Sequence, residues 1–304
     1  MTVKKLKLDE FTGLKKVTND SYYDLMKFFT IKRLPCPMFF QCVSSLVGLG
    51  GFYWVVIRDC LVVFRLTNMY GNTSLIVYNT PVHIEADVGV EEEVLAALLV
   101  AGFSANVSCF EFNRLSFTPL SIRAVRKPDF DEFVYDTNKS FKMEGKAYKK
   151  LRNYVNKWRD SGGTVSYALE WWVPDFLLQW AKVKGIKYQR YIDMIQNYPE
   201  RFLFCCLALD GVPMGFTAVE SVGDFFYQVI GITNYDAPFP VGPALRWHTV
   251  YRGLCDSYLT SGAARFKGLL DAKRELRPVH VVPMYRIPAV GNVSDAYALV
   301  QDFI

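Results

Sequence analysis

The sequence is poor in the residues that most often build a metal or covalent-catalysis site. Only three of its 304 residues are His, and His83, His248 and His280 stand far apart with no ligand spacing, which argues against a zinc centre. The seven Cys are odd in number and none forms a C-x-x-C pair. Most lie in apolar runs such as "RFLFCCLAL", so they read as small hydrophobes in a reducing compartment rather than as a disulfide framework. No Ser-His-Asp or Cys-His arrangement with a recognisable nucleophile elbow is present, so covalent catalysis has no support in the residues. The first residues, "MTVKKLKLDE", carry charge without an apolar stretch behind it, and no signal peptide is expected. One uncharged run, 34–57, is long enough to span a bilayer. It contains Pro35, Pro37, Gln41, two Ser and three Gly, however, and its second half has the pattern of a strand. A short helix, a glycine turn and a strand are expected there, in a soluble, cytoplasmic protein.

What is present is apolar bulk. Hydrophobic residues make up 51% of the chain and charged ones 21%, enough to bury a large core and too little charge for disorder. The length suits two domains of roughly 150 residues each. A net charge of +5 permits an anionic partner without marking a nucleic-acid binder.

Periodicity divides the chain into two α/β blocks. In the first, "SYYDLMKFF" and "PMFFQCVSSLV" are helix-patterned, and "GFYWVVI" and "CLVVFRL" form a hairpin around Arg58-Asp59. "SLIVYNTPVHIEA" and "SCFEFNRLSF" add strands. "GVEEEVLAALLVAGF" predicts a helix with acids in its first turns and Gly102 at its end. "RKPDFDEFVYDTNKS" reads as the link, which sets domains of 1–128 and 129–304. In the second block "WVPDFLLQWAKVKG" predicts a helix, and "RFLFCCLAL" and "VPMGFTAVE" a hairpin turned by Asp210-Gly211. "DFFYQVIGI" is a third strand, "LRWHTVYRGLCDSYLTSG" a further helix, and "VHVVPMYRI" supplies late strands. Strand pairs with tight turns plus helices in both blocks hint at a duplicated fold.

The strongest local signal is "MEGKAYKKLRNYVNKW", 143–158. Tyr148, Leu151, Val155 and Trp158 recur at helical spacing and form one apolar stripe, expected to pack on a sheet. Lys146, Lys150, Asn153 and Lys157 share another face, beside Lys149, Arg152 and Asn156. From Lys139 to Asp160 there are eight basic residues against two acids, without the interspersed Glu of a solvated helix face. Together with a glycine-started N-terminus this pattern suits phosphate recognition, on a nucleotide cofactor or on a nucleic-acid backbone.

The segment also resembles the phosphatidylglycerol lysyltransferase C-terminal-domain family, through Tyr135, Asp136, Gly145, Tyr148, Arg152 and Asn153. Gly268, Leu269, Lys273, Pro278 and Tyr285 resemble that family's closing segment, and the likeness covers about residues 20–290. The resemblance implies an α/β (α+β) protein of two tandem GNAT-like (acyl-CoA N-acyltransferase-like) domains, with mixed central sheets flanked by helices. It also implies transfer of an acyl or aminoacyl group from acyl-CoA or aminoacyl-tRNA to an amine or hydroxyl. Ala263 and Arg265 stand where the family usually has an acid and a glycine, so the resemblance does not carry over to this chain any role of that acid, such as gripping the amine of a lysyl or alanyl group.

Acyl-CoA users of this fold cradle pyrophosphate on backbone N–H groups of a glycine-rich loop. The equivalent stretch, "APFPVGPALRWH", has the single glycine Gly242 against Pro238, Pro240 and Pro243, which lack an N–H. That tips the reading toward aminoacyl-tRNA. By the resemblance, main-chain N–H groups near Val229–Gly231 would hold the oxyanion. Tyr227, Asp236 and Tyr251 are candidate proton carriers, while His248, beside Trp247, could be a base but reads rather as a packed or surface imidazole. Lys149, Arg152, Asn153, Gly242 and Lys273 are the candidate donor-phosphate contacts, with Arg152 and Lys273 expected to converge on one cleft. No metal is expected. Two other readings stay open: transfer onto a modified base of viral DNA, with Trp171, Trp172 and Tyr188 available to stack a base, and a non-catalytic binding module.

Overall fold

The computed structural model describes residues 13–30, 42–69, 72–77, 81–91, 93–94, 109–113, 125–126, 131–185, 188–223, 225–251, 257–261, 267–282 and 284–288. The chain forms two compact units. The first comprises Met1–Leu34, Gly50–Asp131 and Val282–Ile304, and the second Pro35–Leu49 and Glu132–Val281. The change of unit at Asp131/Glu132 falls close to the expected link, while the 35–49 segment sits with the second unit and the closing residues with the first.

The first unit is a sheet with a helix. Helix α1 (Tyr22–Phe29) buries Leu25, Phe28 and Phe29. Strands β1 (Lys15–Lys16), β2 (Phe52–Ile57), β3 (Cys60–Met69), β4 (Asn72–Val77), β6 (Cys109–Asn113), β15 (Met284–Pro288) and β7 (Val125–Arg126) lie in that order, and β5 (Val82–His83) also pairs with β3. The expected hairpin is present: Ile57 pairs with Cys60 across Arg58 and Asp59, whose φ values of 47° and 58° give the left-handed turn that suits strand twist. Of the helix expected over 89–103, residues 89–91 and 93–94 are helical, and the remainder, Gly102 included, lies outside the described residues.

The second unit is built on strands β8 (Glu132–Asp136), β9 (Thr164–Ser166), β10 (Phe202–Leu209), β11 (Val212–Val222), β12 (Phe225–Thr233), β13 (Tyr258–Ser261) and β14 (His280–Val282). Their order is β14-β8-β13-β12-β11-β10-β9. Strands β9 to β12 pair antiparallel, as do β13 and β8, whereas β12 and β13 run parallel. Asp210 and Gly211, with φ of 51° and 77°, turn β10 into β11 as expected.

Period-two patterning sends alternate residues to opposite faces. Phe204, Cys206, Phe216 and Ile230 pack beneath α5 (Val173–Lys184) and α6 (Gln189–Asn197), meeting Val173, Leu177, Ile192 and Ile195. Cys205, Leu207 and Met214 meet Ala244 and Leu245 of α7 (Gly242–Tyr251) on the other face. Each such buried apolar side chain contributes about 1.5–3 kcal/mol. The adjacent cysteines therefore serve two cores as apolar residues, and burial pushes the Cys206 thiol up to about 12.

Three expectations are corrected. "FVYD" is not linker: Phe133, Val134 and Tyr135 form buried β8, where an aromatic and β-branched run fits a central strand. The helix expected over 245–262 ends among the described residues at Tyr251, and "YLTS" is β13. The apolar stripe of α4 (Lys149–Asp160) packs chiefly on helix: Leu151 and Val155 meet Met143, Trp247 and Leu276, and it is Trp158 that reaches the cluster on the sheet. Trp247 also donates from Nε1 to the Phe141 carbonyl at 2.9 Å, at the end of α3 (Thr137–Lys142), and stacks on its ring.

A buried acid secures the 42–49 segment. Glu220 on β11 has no exposed surface. Its carboxylate accepts from Ser44 Oγ at 2.9 Å, from Ser44 N at 3.3 Å and from Cys42 Sγ at 2.6 Å, at the start of α2 (Val43–Leu49). Burial, and then the Glu220 charge, hold the Cys42 thiol well above its ordinary range, so it stays protonated. Within the described residues, no helix is long and apolar enough to cross a membrane. Replacing the acid by Glu220→Leu leaves several donors of α2 without their acceptor, and should cost about 2–4 kcal/mol in urea unfolding with a visible fall in midpoint. A midpoint within experimental error of wild type would deny the clasp its role.

Candidate functional site

The site follows from where the parallel pair stops. Among the described residues β12 and β13 pair at Phe226–Leu259, Tyr227–Thr260 and Gln228–Ser261. Immediately beyond, β12 carries a bulge. Ala218 pairs with Ile230 but Val219 pairs with Gln228, leaving Val229 as the extra residue. A bulge bends its strand and re-aims the backbone. From Val229 to Thr233 the edge of β12 that faced β13 has no strand beside it among the described residues. Gly231 is exposed at this lip, and the Gln228 amide lies where a side chain would be: a Cβ on Gly231 would sit 1.9 Å from Gln228 Nε2.

Side chains from β8, β12 and β13 meet those of α7 and α8 (Lys267–Glu275) below the lip. Register puts Phe133, Gln228 and Ser261 on this face, with Tyr135 two residues along β8. Lys273 of α8 donates from Nζ to Ser261 Oγ at 2.8 Å and lies 5.6 Å from the centre of the Phe133 ring. Arg246 of α7 donates from Nη2 to Gln228 Oε1 at 2.9 Å and stacks 4.2 Å over the Tyr135 ring. Gln228 passes its own donor to Thr217 Oγ1 at 3.3 Å, and Thr217 donates to the Ile230 carbonyl at 2.8 Å beside the bulge. The Tyr135 hydroxyl donates to the Lys273 carbonyl at 3.1 Å, tying α8 to β8.

Both cations are buried, Arg246 at 8% and Lys273 at 8% exposure, and burial is the first influence on each. Lys273 is held down at about 7 by burial and then by the Arg246 charge, against the opposing pull of Glu132. Arg246 is lowered from its ordinary value, and burial pushes the Tyr135 phenol up to about 12. Arg246 Nη1 is enclosed and has no hydrogen-bond partner among the described residues. Among the described residues this corner of the fold holds two buried basic side chains, and the buried carboxylate of Glu132 acts on Lys273.

The expected site residues are scattered around this corner. Lys273 is within it. Tyr227 is buried, but it alternates with Gln228 to the opposite face, across from Glu220. Asp236 is exposed in the loop before α7, with its backbone N–H bonded to Asn234 Oδ1 at 2.9 Å in an Asx turn. Tyr251 closes α7, and its side chain lies outside the described residues. Gly242 opens α7 with no atom within 4 Å of a Cβ built on it. Lys149 and Asn153 are exposed on α4. Arg152 instead reaches back to the carbonyls of Met143 and of Gly145, the latter at 2.8 Å. Both residues have positive φ, so Arg152 fastens the turn between α3 and α4. Lys150 pairs with Glu275 of α8. His248 is held down at about 4 by burial and then by Arg159, with Nδ1 at 3.4 Å from the Tyr167 hydroxyl: a neutral, packed imidazole.

Arg246, Gln228 and Ser261 escaped the sequence reading. Arg246 did carry a signal, as the lone full charge in the otherwise apolar or uncharged helical run "GPALRWHTVY". Gln228 and Ser261 had none, because their position depends on a parallel pairing between distant strands. Among the described residues no group of three His, Cys, Asp or Glu is placed to hold a metal.

No family model and no curated protein matches the sequence. Solved structures match the fold over nearly the whole chain. One is a conserved protein of unknown function from Bacteroides thetaiotaomicron, with a TM-score of 0.73 at 16% identity, covering 91% of this chain and 99% of that one. The C-terminal domain of a chain assigned as a lysylphosphatidylglycerol synthetase, from Agrobacterium fabrum, gives 0.63 at 16% identity, with 93% and 96% covered. L-PGS from Bacillus licheniformis gives 0.63 at 15% identity, with 96% and 98% covered. The likeness of fold thus points to the kind of domain that the residues also resemble, and the α/β organisation in two sheet-bearing units expected from the sequence is the one found.

Lys273 makes stability depend on pH. Its folded value of about 7 lies below its ordinary 10.5, so the unfolded chain binds the proton more readily between them. Stability from this group therefore rises as pH climbs from about 7 toward 10.5, and is constant below 7. Lys273→Met should raise the melting temperature most at pH 6–7, with the gain shrinking by pH 9.5. A gain independent of pH, or a loss at pH 6, would contradict the buried-cation description.

Proposed function

We propose that this chain is a transferase that moves an acyl or aminoacyl group from an activated carrier to an amine or hydroxyl, with its reaction centre where β12 parts from β13. The observation that carries the proposal is the bulge at Val229 directly beyond the last β13 pair, which turns main-chain groups of β12 out of the ladder. Such groups, fixed before the reaction, stabilise the oxyanion that forms when a nucleophile attacks an activated carbonyl. The likeness of fold to a domain assigned to lysylphosphatidylglycerol synthesis supports transfer chemistry as a class.

Aminoacyl-tRNA fits better than acyl-CoA as carrier. The loop ahead of α7 carries Pro238, Pro240 and Pro243 and the single glycine Gly242, so it offers few N–H groups to a pyrophosphate. The exposed basic face of α4, with Lys149, Asn153 and Lys157, together with Lys146 in the turn just ahead of it, suits a long phosphate backbone. Arg152, engaged with two carbonyls, shapes that face by fixing the start of the helix. Lys273 sits at the parting of the strands, where it would meet the reacting end of the carrier. Asp236 and Tyr251 flank α7 as proton carriers, and Tyr227 supports the sheet from behind. The same proline-laden loop favours a second reading, a binding module that no longer turns over, which any measurable transfer removes. A DNA acceptor has no support in the comparisons.

The carrier is tested by titrating labelled total tRNA and CoA against wild type and against the charge-reversed chain Lys146→Glu/Lys149→Glu/Lys157→Glu. We expect tRNA affinity to fall with added salt, and the reversed chain to bind at least about tenfold more weakly. Unchanged tRNA binding would remove α4 from the proposal, and saturable CoA binding in its place would make CoA the carrier.

A further inference from the structure

We infer that the floor of the β12/β13 opening is an oxyanion site, in which Arg246 and Lys273 receive a carboxylate or phosphate of the substrate. The inference rests on placing the reaction centre at that opening, and it goes further by fixing the charge of what binds there: acidic, where the fold's lysyl-transferring relatives would carry a cation.

Two observations point the same way. The first is an unmet demand for an acceptor. A guanidinium has five N–H donors and no acceptor. Arg246 spends Nη2 on the Gln228 amide oxygen and its face on the Tyr135 ring, yet Nη1 is enclosed and without a partner among the described residues. A buried, unmatched charged donor costs several kcal/mol, and it persists where a ligand or a water completes it. The second is the charge count. Lys273 lies close enough for Arg246 to depress its proton affinity, and Glu132 is the acid that acts on it in return. Among the described residues no carboxylate is seen to act on Arg246, so a negative charge brought by a ligand would be accommodated beside it. The arrangement is built rather than incidental, since Gln228 orients Arg246, Ser261 orients Lys273, and the Tyr135 hydroxyl ties the backbone of α8 to β8.

The test is direct anion binding, read by thermal shift and by calorimetry on the intact chain at pH 7. Inorganic phosphate forms one arm and succinate the other, each against chloride at matched ionic strength. Saturable stabilisation by at least one oxyanion is expected, and the arm that binds more tightly tells phosphate from carboxylate. Arg246→Met should weaken that binding at least tenfold, and Lys273→Met at least threefold, while both variants keep the wild-type far-ultraviolet spectrum. Should Arg246→Met fail to fold, Lys273→Met and Arg246→Gln carry the comparison. A wild-type response no larger than that to chloride means that Nη1 holds a water, and the inference falls; equal binding by wild type and both variants overturns it too. Because the readout is binding, oxyanion binding without turnover would leave the inference standing and remove the transferase reading, and turnover without oxyanion binding would do the reverse.

Discussion

A parallel strand pair that, among the described residues, spans three positions leaves the rest of one β12 edge without a partner strand, and the second unit is arranged around that interruption. Buried backbone groups are ordinarily paired. Here the Val229 bulge and the exposed Gly231 lie just past the last described pair, Gln228 with Ser261. The antiparallel strands on the other side, β11 and β10, are long and continuous, and their two faces are filled by α5 and α6 and by α7. The rigid half of the sheet holds the open half in position.

Charge is distributed with the same logic. Basic residues on α4 face solvent, where the cost of keeping them is small, and Lys150 is balanced by Glu275. Arg246 and Lys273 are buried instead, where the cost is large. Natural chains retain such groups where function requires them, at the expense of stability. The depressed Lys273 is one measure of that strain, and the unmatched Nη1 of Arg246 is another.

Much of this architecture was legible in the residues. The hairpins at Arg58-Asp59 and Asp210-Gly211, the period of α4 and the division into two sheet-bearing units all follow from local patterning or from the resemblance. What local patterning misses is non-local. β13 is short and ends a run that begins with a helical pattern, so its Tyr258, Leu259 and Thr260 read as helix until β12 and β8 supply partners on both sides. β8 looked like linker because its polar flanks outweighed a short core, though Tyr135 is fully enclosed. Arg152 looked like a phosphate ligand because side-chain type was visible and the left-handed turn at Met143 and Gly145, which it fastens, was not.

The central claim is that chemistry occurs on β12 just past Gln228, and Gly231→Ala addresses it most directly. The added methyl would overlap the Gln228 amide, a flexible side-chain end, so the fold should tolerate the change while Gln228 and the Arg246 it orients must shift. The measurement is single-turnover consumption of aminoacyl-tRNA and of acyl-CoA by wild type and by this variant. The account predicts a loss of at least about tenfold with an unaltered melting temperature, since small misplacements at a reacting centre are costly. Equal rates in the two chains would place the chemistry elsewhere.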